Sequence, residues 1–166
     1  IFAFQAKKDT TSLQLTALFS DHMVLQQKSN VKFWGRDKPN NKITILSSWG
    51  KESKTIVNEN GDWNVSLETP SAGGPFQIEI KSIHQNIILN DVMVGEVWLA
   101  SGQSNMEMTL MGWPPNDIIN NADEEIAKSA NPKIRMFNVE KQISLSPLDS
   151  VSGSWKISSP NETKNF

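Results

Sequence analysis

The stretch Asp91-Val92-Met93-Val94-Gly95-Glu96-Val97-Trp98-Leu99-Ala100-Ser101-Gly102-Gln103-Ser104-Asn105-Met106-Glu107-Met108 divides the chain into two kinds of pattern. Before it, apolar residues alternate with polar ones. Within it they run together, from Val92 to Val94 and again from Val97 to Ala100. The second run stops at Ser101-Gly102, and a hydroxyl and two amides follow: Gln103, Ser104 and Asn105. Strands of a parallel sheet are buried on both faces and read as continuous apolar runs. Ligands in open α/β sheets sit just beyond the carboxyl ends of such strands. The pattern therefore predicts Ser104 at the mouth of a cleft, where a nucleophile belongs.

Upstream, over residues 18–90, the period is two. Val31 and Phe33 alternate with polar neighbours, as do Ile43 and Ile45, then Trp63, Val65 and Leu67, then Phe76, Ile78 and Ile80. Turn signals separate them at Pro39-Asn40-Asn41, Asn60-Gly61-Asp62 and Gly73-Gly74-Pro75. Short alternating strands punctuated in this way predict an antiparallel β-sandwich. Asn60-Gly61, between Thr55-Ile56-Val57 and the Trp63 strand, reads as a type I′ hairpin turn. Trp34, Trp49 and Trp63 read as core packing.

Downstream, Gly112-Trp113-Pro114-Pro115-Asn116 reads as a rigid connection. Asp117 to Ser129 reads as a helix, with Ile118, Ile119, Ala122, Ile126 and Ala127 near one face and Pro132 as its end. Ile134 to Val139 reads as a second strand of the sheet that Val97–Ala100 begins. Strand, helix, strand is the opening of a doubly wound, flavodoxin-like α/β/α domain. Two parallel strands cannot cover their own faces, so the domain over 91–166 reads as the truncated start of a larger one.

At 166 residues, one or two domains are expected. A chain of this length can bury about 70% of its unfolded surface. Its net charge of -2 gives no electrostatic case for nucleic acid. No apolar run approaches the ~18 residues of a membrane helix, so no membrane partner is expected. The absence of cysteine excludes disulfides and thiolate metal sites, and Asp and Glu are scattered without ligand spacing, so no metal site is predicted. Residues 1–17 read as an N-terminal tail. Ile1-Phe2-Ala3-Phe4-Gln5-Ala6, ahead of Lys7-Lys8, fits either the end of a secretory signal cut at Ala6 or a flexible terminus.

The string Gly95 to Met108 resembles the first conserved block of the SGNH hydrolases. Its Gly102-Gln103-Ser104-Asn105-Met106 is similar to the block of the sialate O-acetylesterase, or carbohydrate acetylesterase, branch. Phe19-Ser20-Asp21-His22-Met23-Val24-Leu25-Gln26-Gln27 and Ala72-Gly73-Gly74-Pro75-Phe76 extend the resemblance, which covers roughly residues 18–166. It implies a serine esterase that removes O-acetyl groups from carbohydrates, such as 9-O-acetyl sialic acid or related acetylated sugars, without a cofactor. It also implies export to the cell exterior, the periplasm or the lysosome. Only the N-terminal portion of the family's pattern is matched. The blocks with the oxyanion Gly and Asn, and the terminal Asp-x-x-His, have no counterpart here, so the remainder of the hydrolase domain is expected on a longer chain or a partner chain.

A serine hydroxyl needs a base to take its proton, and the base needs a third group to orient it. His22 reads as a structural hydrogen-bonding residue and His84 as a solvated turn residue, and neither matches the family's catalytic histidine. Ser104 is the candidate nucleophile, and its N–H a candidate oxyanion donor. Gly102 would let the chain turn sharply ahead of it. Gln103 and Asn105 are candidate substrate-binding residues, with fixing of the serine loop as the alternative. Glu107 reads as an anchor of that loop or as a first-turn helix carboxylate. Trp98 reads as core, Trp113 as a wall for a sugar. Gly-x-Ser-x-Met departs from the Gly-x-Ser-x-Gly elbow of α/β-hydrolases. Asn64-Val65-Ser66 and Asn161-Glu162-Thr163 fit the glycosylation triplet. The competing functional expectation is a non-catalytic glycan-binding or assembly module, because the Asp/His part is absent.

Overall fold

The computed structural model describes residues 12–166. The chain is mostly β. Its first part forms β1 (Gln14–Leu15), β2 (Val24–Gln26), β3 (Asn30–Arg36), β4 (Lys42–Ser47), β5 (Glu52–Ile56), β6 (Asp62–Glu68), β7 (Gly73–Lys81) and β8 (Asn86–Gly95). Five of these make one sheet in the order β2-β8-β7-β4-β5, in which β2 runs parallel to β8 and the other pairs are antiparallel. The other three make an antiparallel sheet, β1-β3-β6.

One core lies between the two sheets, and the period-two pattern explains it, since alternate side chains of a strand share a face. β4 contributes Ile43 and Ile45, β7 Ile78 and Ile80, β3 Phe33, and β6 Leu67, all fully buried. Burying each such side chain is worth about 1.5–3 kcal/mol. Trp63 is buried too, while Trp34 and Trp49 are half-buried against the same core. Phe19 stacks on Phe33 at 4.6 Å between ring centroids and meets Trp34 edge-on at 4.7 Å.

Three expectations for this part change. Asn60-Gly61 does not close a hairpin ladder, because β5 and β6 belong to different sheets. The Asn58 side-chain oxygen accepts from the N–H of Asn60 (2.9 Å) and of Asp62 (3.0 Å), and of the Asn60-Gly61 pair only Gly61, at φ 85°, is left-handed. A type I′ turn needs both. The chain thus bends across to the second sheet, and Ser53 Oγ donates to the Ser66 carbonyl at 2.7 Å, drawing the β5 edge of the large sheet toward β6. Gly73-Gly74-Pro75 lies inside β7 at a register shift opposite β8, not in a turn before it. Part of the tail expected over 1–17 instead belongs to the sheet and its core. Gln14 and Leu15 pair with Arg36 and Gly35, and Leu13 and Thr16 are buried. The signal-peptide expectation for Ile1–Ala6 falls outside the described residues.

The second part contains α1 (Ser104–Glu107), α2 (Ala122–Lys128), β9 (Asn131–Phe137), β10 (Trp155–Ser158) and α3 (Pro160–Thr163). The helix expected from Asp117 starts only at Ala122. The Trp113 N–H donates to the Asp117 carbonyl at 2.8 Å, which commits Asp117 to a closed loop, and Asn121 precedes the helix in a left-handed conformation at φ 60°. Pro132 lies within β9, beyond the helix end. The expected parallel strand pair is absent among the described residues. β9 pairs antiparallel with β10, Phe137 opposite Trp155 and Met136 opposite Lys156. Phe137 and Trp155 pack edge-on at 5.4 Å, a cross-strand aromatic contact that fixes this register. No helix among the described residues is long and apolar enough to cross a membrane.

Candidate active site

The serine segment begins where β8 ends. Gln26 and Gln27, at the end of β2, grip the first residue beyond β8. The Gln27 amide donates to Glu96 Oε1 at 2.7 Å and the Gln26 amide to Glu96 Oε2 at 3.1 Å. These two bonds, Gln27 first, hold the Glu96 carboxyl below its ordinary pKa. The Gln26 side-chain oxygen then accepts the Val97 N–H at 2.9 Å.

Past that grip the chain leaves the sheet. Residues 96–100 form no strand, and Trp98 and Leu99 are 88% and 92% exposed. The expected strand over Val97–Ala100 and the core placement of Trp98 are both corrected here. An extended run is held by neighbours on its edges, and among the described residues none lies alongside this one.

Ser104 opens α1, a single helical turn. Gln103 stands at its N-cap position without a side-chain capping bond, and its carbonyl accepts the Met106 N–H at 2.9 Å. The Ser104 carbonyl accepts the Met108 N–H at 3.1 Å. The Ser104 side chain is exposed, and its hydroxyl has no hydrogen-bond partner among the described residues. A hydroxyl in that state is free to meet a substrate, and equally has nothing here to take its proton. Gly102 is required for space rather than for a left-handed turn. A Cβ there would come within 2.6 Å of Met106 Cγ.

Asn105 faces an open hollow of about 240 Å³ lined with Met108, Thr109, Leu110, Ile119 and Phe166. Backbone bonds from Leu110 N–H to the Phe166 carbonyl (3.1 Å) and from Met111 N–H to the Lys164 carbonyl (3.4 Å) close one side. Of the three predicted site residues, Ser104 and Asn105 share α1, and only Asn105 lines the hollow. Gln103 points to neither a cap nor the hollow. Glu107 is paired with Lys141, so it does anchor this turn, although an exposed pair of this kind contributes at most about 1 kcal/mol. Trp113 is partly exposed in its own loop and does not line the hollow.

Neither histidine serves Ser104. His22 Nδ1 lies 2.6 Å from Asp91 Oδ2, as a structural hydrogen-bonding residue should, and His84 is exposed in the β7–β8 turn, where the Ser82 N–H donates to the Gln85 carbonyl at 2.8 Å. Asp91 also takes Arg135, with Nη1 at 2.7 Å and Nη2 at 3.2 Å. The Arg135 guanidinium, and then His22, hold the Asp91 carboxyl below its usual range against the opposing effect of burial. This cluster went unpredicted. The available signal was Arg135 itself, a charge between Ile134 and Met136 in an apolar strand, because a buried guanidinium requires a partner.

No protein-family model matches the chain. It is similar to the sialate O-acetylesterase of Rattus norvegicus, 30% identical over 155 residues, which covers 86% of this chain and 28% of that protein. It is also similar to the Mus musculus sialate O-acetylesterase, 27% identical over 168 residues and 93% of this chain, and 30% of that protein. Among solved structures it matches a carbohydrate acetylesterase from Xanthomonas citri with a TM-score of 0.85 and 30% identity, covering 93% of this chain and 34% of that one. The chain spans about a third or less of the length of each of these relatives.

Proposed function

Because this chain belongs to the sialate O-acetylesterase branch of the SGNH hydrolases over the part of that family it spans, we propose that it carries the nucleophile block of a serine ester hydrolase that removes O-acetyl groups from carbohydrates. The observation that carries this is Ser104, held on a single turn with its hydroxyl exposed and unengaged, in a chain whose relatives are named as acetylesterases. Ser104 Oγ attacks the acetyl carbonyl, its proton passes to a base, and the base returns a proton to the departing sugar oxygen. Water then releases acetate from the acetyl-enzyme by the reverse path. The Ser104 N–H supports the developing oxyanion, a class of contact worth roughly 10²–10³ in rate. Asn105, and Gln103 beside it, orient the sugar.

The base and its aspartate come from sequence outside this chain, because both of its histidines are otherwise placed. That missing sequence also supplies the neighbours that turn Val97–Ala100 into a strand of an α/β/α sheet, behind a β-sandwich formed by the preceding residues. Export to the exterior, periplasm or lysosome belongs to this proposal. The second reading, a non-catalytic glycan-binding or assembly module, is favoured by the placement of both histidines away from Ser104.

The test is an intact-mass measurement after treatment with a fluorophosphonate, which labels only activated serines. Labelling at Ser104 in the longer or assembled protein, and none in the 166-residue chain alone, is the expected result. No adduct at Ser104 in the assembled protein would move the chain to the second reading.

A further inference from the structure

Asp91 is a carboxylate shared by three segments. It interrupts β8 in a left-handed conformation, φ 53°, and His22 against it is left-handed as well, φ 69°. The His22 N–H donates to the Asn90 carbonyl at 3.1 Å, while Asp21 Oδ1 accepts the Asn90 N–H at 2.7 Å. The segment 21–22 is thereby bound to the Asn90–Asp91 kink through both main chain and side chain. From the other part of the molecule, Arg135 of β9 reaches the same carboxylate with both terminal nitrogens, and its Nε donates to the Pro132 carbonyl at 3.0 Å. The Arg135 side chain is 4% exposed.

The plainer account of Asp91 is that of a kink residue, since aspartate tolerates positive φ better than most side chains. That account leaves the guanidinium unexplained. A cation this buried persists only where it is paired, and the two-pronged arrangement gives orientation as well as attraction. Two strained residues in direct contact also need surroundings that hold them. Apart from the bonds of Gln26 and Gln27 to Glu96 and Val97, the other side-chain ties between the two parts are neutral: the Trp155 indole to the Leu18 carbonyl at 2.9 Å and the Trp34 indole to the Asp149 carbonyl at 2.7 Å.

We propose that Asp91 is a positioning residue that docks the strand pair β9–β10 onto the β-sheet core, acting through Arg135, with His22 fixing the carboxylate at Oδ2, the oxygen that Arg135 Nη1 also contacts. The segment from Phe19 to Gln27 then has a definite task. Its His22 braces the joint to β9, and its Gln26 and Gln27 brace the departure of the serine segment at Glu96. Docking of this kind stands apart from whether Ser104 is a nucleophile.

Hydrogen–deuterium exchange on the 166-residue chain tests it, comparing wild type with Asp91→Asn, Asp91→Gly and Arg135→Lys. Asparagine keeps the tolerance of positive φ and loses the charge, and glycine removes the backbone strain altogether. The expected result is exchange about tenfold or more faster in peptides covering Asn131–Phe137 and Trp155–Ser158 in both Asp91 variants, as local opening without global unfolding gives. Peptides covering Ile43–Ile45 and Ile78–Ile80 should be unchanged, and Arg135→Lys should retain part of the protection. Wild-type protection in Asp91→Gly would make Asp91 a kink residue only and overturn the proposal. So would a uniform rise across the chain, or no change in β9 and β10.

Discussion

Residues 12–95 bury fifteen apolar side chains in one core, whereas in residues 96–166 Met136 is the only buried one. The large apolar side chains left exposed are divided the other way. Ile56, Ile83 and Ile88 belong to the first region, and the rest, from Val97 to Phe166, to the second. The difference is architectural rather than compositional. In the first region two sheets share one core, so alternate residues of β4, β6 and β7 find a facing layer. In the second, one antiparallel pair and three short helices offer no layer for Trp98, Leu99, Ile143 or Leu145 to enter. Exposed apolar side chains that gather into a patch mark interaction sites. Under the proposed function, the rest of the hydrolase domain covers these. Stability should therefore reside in the first region and chemistry in the second.

The sharpest way to break that division is Ser104→Ala. In the assembled protein it should cost on the order of 10⁶ in kcat, the scale of losing a serine nucleophile. Thermal unfolding should not shift, because an exposed hydroxyl with no partner contributes no packing. Retained turnover would end the nucleophile assignment. Trp63→Ala should do the reverse. Trp63 is 2% exposed in the core, so urea unfolding should show a loss of about 3–5 kcal/mol, a large part of a typical domain's stability. A loss under 1 kcal/mol would mean that the first region is not the stable one.

Acid tests the joint between the two regions. Asp91 is held below the ordinary carboxylate range by Arg135 and His22. A depressed folded pKa means its contribution is fully present above the unfolded value of about 3.9 and is lost only as pH falls through the lower folded value. The Trp155 indole N–H resonance, which reports docking on Leu18, should persist through pH 5 and shift toward its unfolded position only in stronger acid. Disappearance already above pH 5 would show that the Asp91 carboxylate does not control docking.

Where the sequence pattern and the structure agree, a local rule coincides with the tertiary environment. Ile43, Ile45, Ile78 and Ile80 alternate in sequence and share a buried face in space. His22 was legible as a hydrogen-bonding residue, and the serine turn was legible from its motif. The disagreements arise where a local signal had more than one tertiary outcome. Asn58-Glu59-Asn60-Gly61 specifies a reversal but not whether the next strand joins the same sheet, and it joins the other. Val97–Ala100 has the composition of a buried strand, but burial requires neighbours that no pattern within 96–166 provides. The Asp91–Arg135 contact spans forty-three intervening residues, and no periodicity links positions so far apart.

The smallest effect separates two tryptophans. Trp98 is 88% exposed and Trp63 2% exposed in the same chain. Trp98→Ala in the 166-residue chain should change unfolding free energy by no more than about 0.5 kcal/mol, the usual range for surface substitutions. Acrylamide should quench a Trp98 contribution that the variant lacks and leave the Trp63 contribution untouched. In the assembled protein the same substitution should cost several-fold more, about 3–5 kcal/mol if the indole becomes buried. The two measurements form one comparison. An equal, small effect in both contexts would show that the Val97–Ala100 run stays exposed after assembly. The apolar surface of residues 96–166 would then need an occupant other than the rest of a hydrolase sheet.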